Sequence, residues 1–207
     1  YEWDYMIPLY FPEGLNIQAE PSDARRVWYF TYETQQDLAL EAEIRDGRIA
    51  RPFIGPPEFF FRLYEAPPDR VGIPFENGMR FHGVEVMHGD GELTEPLRTL
   101  VRREGESVRV RLWWSVDDTP PLDYSVGIHL LGEDGRLLAQ SDSAPQLVTM
   151  AYPPESASQE TNQWQPGRYY VEERVLTLPT GMIFETLPMM LVVYDWRSGE
   201  RVAAPGV

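Results

Sequence analysis

The chain has 207 residues, enough for one large domain or two small ones, and its hydrophobic fraction of 43% is typical of a protein that buries a core. It contains no cysteine, which excludes a disulfide framework, a thiolate metal site and a cysteine nucleophile. Its net charge is −15 and its basic side chains are scattered arginines without any lysine, which argues against nucleic acid and anionic lipid as partners.

Residues 1–74 predict a connector at the start of the chain. Residues 1–24 are aromatic and are interrupted by Pro8 and Pro12, which indicates an extended segment rather than a helix. The chain begins at Tyr1 without a signal-peptide pattern, so we expect a soluble piece of a longer protein. No window approaches the roughly 20 apolar residues that a membrane span needs, so direct membrane insertion of this segment is not expected.

The connector contains the pattern of a small α/β element. Arg26 to Tyr32 is rich in β-branched and aromatic residues and predicts a strand. Gln35 to Arg45 contains good helix formers and ends at Gly47, and Glu58 to Glu65 predicts a second strand. A strand, a helix and a strand in this order are typical of a βαβ crossover. The first turn has no glycine, so a phosphate site is not predicted there.

The remaining residues, 75–207, follow a boundary predicted by the prolines between Pro67 and Pro74. Strand-like runs recur there at the spacing of a β-sandwich. We predict strands over Met79–Met87, Ser107–Ser115, Tyr124–Leu131, Arg136–Gln140, Arg168–Leu178 and Met189–Trp196, with a short edge strand at Leu147–Met150. The predicted fold is therefore mainly β, an antiparallel sandwich of Ig-like or jelly-roll kind preceded by the small βαβ element.

The strand that begins at Ser107 alternates most regularly. Val108, Val110, Leu112 and Trp114 share one face, which we assign to the core, and Trp113 lies on the other face. The core residues that we predict on this basis are Val110, Trp114, Ile128, Leu130, Val192 and Tyr194.

Trp113, Arg111 and His129 are the candidate glycan contacts. Strand alternation places Arg111 and Trp113 together, and His129 joins them if its strand pairs in a suitable register. An indole face stacks on the C–H groups of a sugar ring, and guanidinium donors bind its hydroxyls. The alternative is that Trp113 packs under residues 1–74 or stacks on a neighbouring arginine.

Other polar residues favour structural roles. His82 and His88, with Asp90 and Glu92 after them, have the donor types of a metal site, but residues six apart on a strand are about 20 Å apart. We therefore predict a turn there and no metal. His129 is expected to bond across strands to a carboxylate such as Asp142, rather than to act as a general base.

Two acidic pairs, Asp117–Asp118 and Glu172–Glu173, are interpreted as solvated charge. No segment shows two carboxylates held together in a cleft, as a glycosidase requires. No Gly-x-Ser-x-Gly elbow accompanies His129 either. The residues by themselves thus predict neither a catalytic site nor a cofactor.

An ordered set of motifs runs through residues 75–207. They are Met79–Gly83, Leu112–Trp114, Asp123–Val126 with His129–Leu130, Asp134–Gly135 with Ala139–Ser143, Trp164–Gly167, Leu178–Pro179, Val193–Asp195 and Gly199–Glu200. This order resembles a C-terminal extracytoplasmic domain of bacterial multi-spanning glycosyltransferases similar to family 39, the dolichyl-phosphate-mannose protein mannosyltransferase-like group. The chain departs from that pattern at Thr180–Pro188, where an apolar insert replaces a short proline-glycine turn.

The resemblance implies a non-catalytic domain on the extracytoplasmic face of the cell membrane. Such a domain binds or positions a glycan or an acceptor protein and belongs with the membrane-embedded part of the same protein, where that family has its catalytic carboxylates and lipid-phosphate site. No catalytic residue is therefore expected in this chain. A structural or protein-interaction module without a ligand is the competing hypothesis, and a free-standing hydrolase is the third.

Overall fold

A computed structural model of the chain describes residues 23–51, 59–87, 93–94, 107–132, 134–148, 159–177 and 188–206. The strands are β1 (Arg26–Tyr32), β2 (Ile49–Ala50), β3 (Phe59–Glu65), β4 (Ile73–Pro74), β5 (Met79–Met87), β6 (Leu93–Thr94), β7 (Ser107–Val116), β8 (Tyr124–Leu131), β9 (Leu137–Ser143), β10 (Tyr170–Thr177) and β11 (Met189–Asp195). The helices are α1 (Leu38–Arg45) and two 3₁₀ turns, Glu33–Gln35 and Thr161–Gln163. Across these ranges, no helix has the length and apolar character of a membrane span.

The strands form three antiparallel sheets. The N-terminal sheet has the order β1-β3-β2, the central sheet β10-β7-β5-β4 with β6 beside β5, and the outer sheet β11-β8-β9. The main core lies between the central and outer sheets and includes Met79, Val110, Leu112, Trp114, Val126, Ile128, Leu130, Trp164, Leu176 and Val193. The predicted mainly β fold with an antiparallel sandwich is confirmed.

The N-terminal element differs from the predicted crossover. Arg26 pairs with Glu65 and Tyr32 with Phe59, so β1 and β3 are antiparallel, whereas a βαβ crossover joins parallel strands. The strand that runs parallel to β1 is β2, and β3 lies between them. Strand β3 is therefore not the parallel partner of β1 that the prediction made it. The parallel strand, β2, has only two residues, too few to show a strand pattern in the sequence. The helix α1 begins after Asp37, whose carboxylate accepts bonds from the backbone N–H groups of Ala39 and Leu40.

Strand β4, which lies just before the predicted boundary, pairs with β5 in a hairpin of the central sheet. Residues 1–22, His88, Asp90, Glu92 and most of the apolar insert lie outside the described residues, as do Thr149 and Met150. Of the predicted edge strand, the two described residues, Leu147 and Val148, contact β10, with Leu147 in an isolated bridge to Glu172 and Val148 donating to Val171.

Four of the six predicted core residues, Val110, Trp114, Ile128 and Leu130, belong to the main core. Val192 is buried, as predicted, but Tyr194 is only half-buried. The phase predicted for β11 is wrong, because Met189, Leu191 and Val193 pack in the main core, while Val192 and Tyr194 alternate with them on the other face. Every position from Met189 to Tyr194 is apolar, so alternation gives no phase for this strand.

Strand β5 contains a bulge that sets the orientation of its second half. Phe81 pairs with Trp114 and Val84 with Leu112, so β5 has one residue more than β7 between these pairs. Gly83 has a φ of 113°, and a Cβ there would lie 2.9 Å from Cβ of Pro68, so only glycine fits.

Candidate functional site

Trp113 and Arg111 lie in the interior of the protein. Trp113 is 0% exposed and packs with Val171, Ile49, Val148 and Tyr169, of which Ile49 belongs to the N-terminal sheet. Strand alternation is as predicted, since Trp114 faces the outer sheet and Trp113 faces the opposite way. The second face of β7 is nevertheless covered by residues of the connector. The predicted glycan face is therefore an internal interface, as the alternative interpretation of Trp113 had it.

Glu85 joins the two sheets at this interface. Its carboxylate accepts hydrogen bonds from Nε1 of Trp113 at 2.7 Å, from Nη2 of Arg26 at 3.3 Å and from Nη2 of Arg25. Its side chain is almost completely buried, and Nη1 of Arg111 lies 4.0 Å away. Because Arg25 and Arg26 begin the N-terminal sheet, these bonds fix that sheet on the central sheet.

Two further carboxylates extend the network. Oε1 of Glu65 accepts a 2.7 Å bond from Nε of Arg26, and its Oε2 lies 3.2 Å from Nη1 of Arg51. Glu173 accepts a 2.8 Å bond from Nη2 of Arg111 and lies 3.9 Å from Nη1 of Arg109. We refer to the eight residues as the arginine–glutamate cluster: Arg25, Arg26, Arg51, Arg109, Arg111, Glu65, Glu85 and Glu173.

The electrostatics of the cluster are visible at Arg51. Burial lowers the pKa of Arg51, although the adjacent Glu65 carboxylate acts in the opposite direction. The positive charge of Arg111 lowers it further, so these two guanidinium groups are close enough to repel each other.

Trp28 is an exposed aromatic residue beside the cluster. It is 50% exposed and stacks on Phe61, with ring centroids 4.6 Å apart and planes at 9°. Two residues before it, Arg26 lies on the same face of β1 and keeps part of its guanidinium surface open to solvent. Trp28 is not among the contact residues predicted from the sequence. The available signal was the alternation of β1, which places Trp28 opposite the buried Tyr29.

His129 lies on the outer sheet and does not share a face with Trp113 and Arg111. Its neighbours Ile128 and Leu130 face the core, so His129 faces away from it. Nε2 of His129 lies 3.3 Å from Oδ1 of Asp142, which confirms the predicted bond across strands. A Cβ on Gly127 would lie 2.2 Å from the same oxygen, so the absence of a side chain there leaves room for the Asp142 carboxylate in this position.

His82 is a buried histidine with both ring nitrogens bonded. Nδ1 lies 2.7 Å from the carbonyl oxygen of Asp69, and Nε2 lies 2.8 Å from Oγ of Ser115. A carbonyl oxygen only accepts, so Nδ1 carries the hydrogen and Nε2 accepts from the Ser115 hydroxyl. Burial lowers the pKa of His82. In the described part of the chain, no group of three or more acidic or histidine side chains is arranged to hold a metal ion.

Lowering the pH below about 6.5 should reduce the stability of the wild type more steeply than that of His82→Gln. In the unfolded chain His82 returns to a pKa of about 6.5, above its folded value. Its contribution is therefore present above pH 6.5 and is lost as the pH falls through the folded pKa. Thermal unfolding midpoints measured between about pH 8 and about pH 5 give the two slopes. Parallel slopes would contradict this assignment.

One of the two acidic pairs interpreted as solvated charge is partly buried. Glu172 is 0% exposed, and its carboxylate accepts bonds from Nε1 of Trp114 at 2.8 Å and from Nε of Arg174 at 2.8 Å. The solvated interpretation is therefore wrong for Glu172, because bonded partners replace water around its charge. Asp117 does lie at the surface, where it pairs with Arg80.

Comparison of the sequence with known protein families finds no family model that matches, and comparison with curated proteins finds no significant match.

Proposed function

We propose that the chain is a non-catalytic extracytoplasmic domain of a membrane glycosyltransferase-like protein, in which it binds or positions a glycan or an acceptor beside the membrane-embedded part. The order of motifs in residues 75–207 and the β-sandwich fold support this proposal. The observation that carries it is Trp28, a half-exposed indole stacked on Phe61. This residue replaces Trp113 as the proposed sugar contact.

The surroundings of Trp28 suit a sugar ring. Phe61 stacks on one face of the indole, and half of the residue is still open to solvent. A pyranose ring stacks its C–H groups on such a face, while the guanidinium group of Arg26 donates to hydroxyls. Glu65 and Glu85 hold Arg26 in place, so little side-chain entropy is lost on binding. One stacked ring gives a dissociation constant of about millimolar to tens of micromolar.

Titration of oligosaccharides into ¹⁵N-labelled protein tests the proposal. The shifts should be largest at the indole N–H of Trp28, and Trp28→Ala should lose them while the spectrum of the folded protein persists. Trp196→Ala is the matched control, because Trp196 is 54% exposed on the turn after β11 and is far along the chain from the N-terminal sheet. An equal loss in both variants, or no shift at Trp28 with any glycan tested, would contradict the proposal.

A structural module without a ligand is the second candidate, and the arginine–glutamate cluster favours it. Glu85 connects β5 to Arg25 and Arg26, so these bonds join the N-terminal sheet to the central sheet. A structural module would depend on the rigidity of this connection. Glu85→Gln should then increase proteolysis between Glu65 and Ile73, whereas Trp28→Ala should leave it unchanged. Increased cleavage in both variants, or in neither, would contradict this role.

A further inference from the structure

The arginine–glutamate cluster has more positive than negative charge. Its five guanidinium groups meet three carboxylates, which leaves two excess positive charges among the described residues of this interface. The protein as a whole carries −15, so this excess is local. Like charges held together at low dielectric repel one another, and an anion between them removes the repulsion.

Arg111 provides a second, independent observation. Its side chain is 4% exposed, and within the described residues its Nη1 has no hydrogen-bond partner. The nearest carboxylate oxygen, Oε2 of Glu85, lies 4.0 Å away, beyond hydrogen-bond distance. A buried charged donor without an acceptor is costly, so this atom favours an acceptor from outside the cluster.

Two arginine side chains of the cluster are more accessible to solvent than two of its carboxylates. The side chains of Arg109 and Arg51 are 55% and 27% exposed, whereas those of Glu65 and Glu85 are 1% and 5% exposed. Glu173 accepts from Arg111 and lies near Arg109, so it orients both guanidinium groups. A ligand that approaches from solvent is therefore expected to contact Arg109 and Arg51 before it contacts Glu65 or Glu85.

We propose that Arg51, Arg109 and Arg111 form a binding site for an oxyanion, a phosphate or carboxylate group on a soluble ligand. Nη1 of Arg111 is the buried donor, and the partly exposed side chains of Arg51 and Arg109 supply further guanidinium donors to the anion. The strongly negative surface argues against a lipid bilayer as the source of this group. The inference is independent of the glycan contact at Trp28, because it concerns an acidic group and not a sugar ring.

Calorimetric titration of the folded chain with sodium phosphate tests the site, with sodium chloride at equal ionic strength as the reference. We expect saturable phosphate binding with a dissociation constant of about millimolar, which weakens about fivefold or more in Arg109→Gln and in Arg51→Gln. Arg136→Gln is the control, because Arg136 is an exposed arginine between β8 and β9. It should bind phosphate as the wild type does.

Two results would overturn the proposal. One is phosphate behaving like chloride at equal ionic strength, which would mean that only general screening acts. The other is Arg136→Gln losing as much affinity as Arg109→Gln. The side chain of Arg109 is 55% exposed, so its replacement leaves the buried core untouched and a failure to fold does not obscure the result. Arg51 pairs with the buried Glu65, so Arg51→Gln gives a second reading of the same site once its circular dichroism spectrum matches that of the wild type. If Arg109→Gln or Arg51→Gln loses phosphate binding but keeps the oligosaccharide shifts at Trp28, the anion site and the proposed glycan contact are two different sites.

Discussion

Replacing Trp114 with alanine should lower the free energy of unfolding by about 3–5 kcal/mol. The indole is fully buried between the central and outer sheets, and it lies against Phe81 and Phe75, with ring centroids at 5.1 Å and 6.1 Å. Its Nε1–H also donates to the buried Glu172. Alanine therefore leaves a large cavity and removes one hydrogen bond from a carboxylate that has no access to water.

Urea unfolding followed by circular dichroism measures this loss, with Trp196→Ala as the control. Trp196 is more than half exposed, so its replacement should change the free energy of unfolding by only about 0.5 kcal/mol or less. A Trp114→Ala protein within about 1 kcal/mol of the wild type would show that the indole is not part of the core.

Replacing Glu172 with glutamine should cost about 3–5 kcal/mol, an effect of similar size. Glu172 and Arg174 are both 0% exposed, and Nε of Arg174 lies 2.8 Å from Oε2 of Glu172. Among the described residues, this carboxylate is the counterion of the buried guanidinium group. Glutamine keeps the shape of the side chain but removes its charge, so the buried guanidinium group is left without a counterion. The remaining partners of Arg174, the hydroxyl of Ser143 and the carbonyls of Ser143 and Ala144, are neutral.

Asp117→Asn makes the same chemical change in an exposed pair. The carboxylate of Asp117 accepts from Arg80 at the surface, where water replaces a lost partner, and the expected cost is about 0.2–1 kcal/mol. Urea unfolding of both variants gives the comparison. Equal costs for the two substitutions would mean that Glu172 is as solvated as Asp117.

Local pattern was sufficient for the individual strands. The bounds of β1, β5 and β8 agree with those predicted, because alternation, bulky strand formers and turn residues act within a few positions of one another. The contact of His129 with Asp142 was also predictable, since both residues lie on neighbouring strands joined by a short turn.

Whether a face of a strand is buried depends on residues far along the chain. Trp113 and Glu172 look like surface residues in their own strands, and both are buried. Trp113 is covered by Ile49 of the N-terminal sheet, and Glu172 lies on the core face of β10, where Trp114 and Gln146 donate to it. Arg111 and Trp113 were correctly placed on one face, but nothing within β7 shows that Glu85, Arg25 and the N-terminal sheet close over that face. The exposure of Trp28 was not predictable in the same way. Bulky residues stand at neighbouring positions of β1, so the sequence of this strand does not show which face is open to solvent.

The bulge at Gly83 makes the number of residues in β5 a constraint on the fold. Loss of this one residue would not shorten a loop but would turn the second half of β5 over, so that Val84 and Val86 would face the arginines and Glu85 would enter the core. Related chains that share this arrangement should therefore keep the spacing between Phe81 and Glu85, even where their side chains have diverged. Alignment gaps in such a family are expected in the connections between strands, and β5 is expected to keep its length.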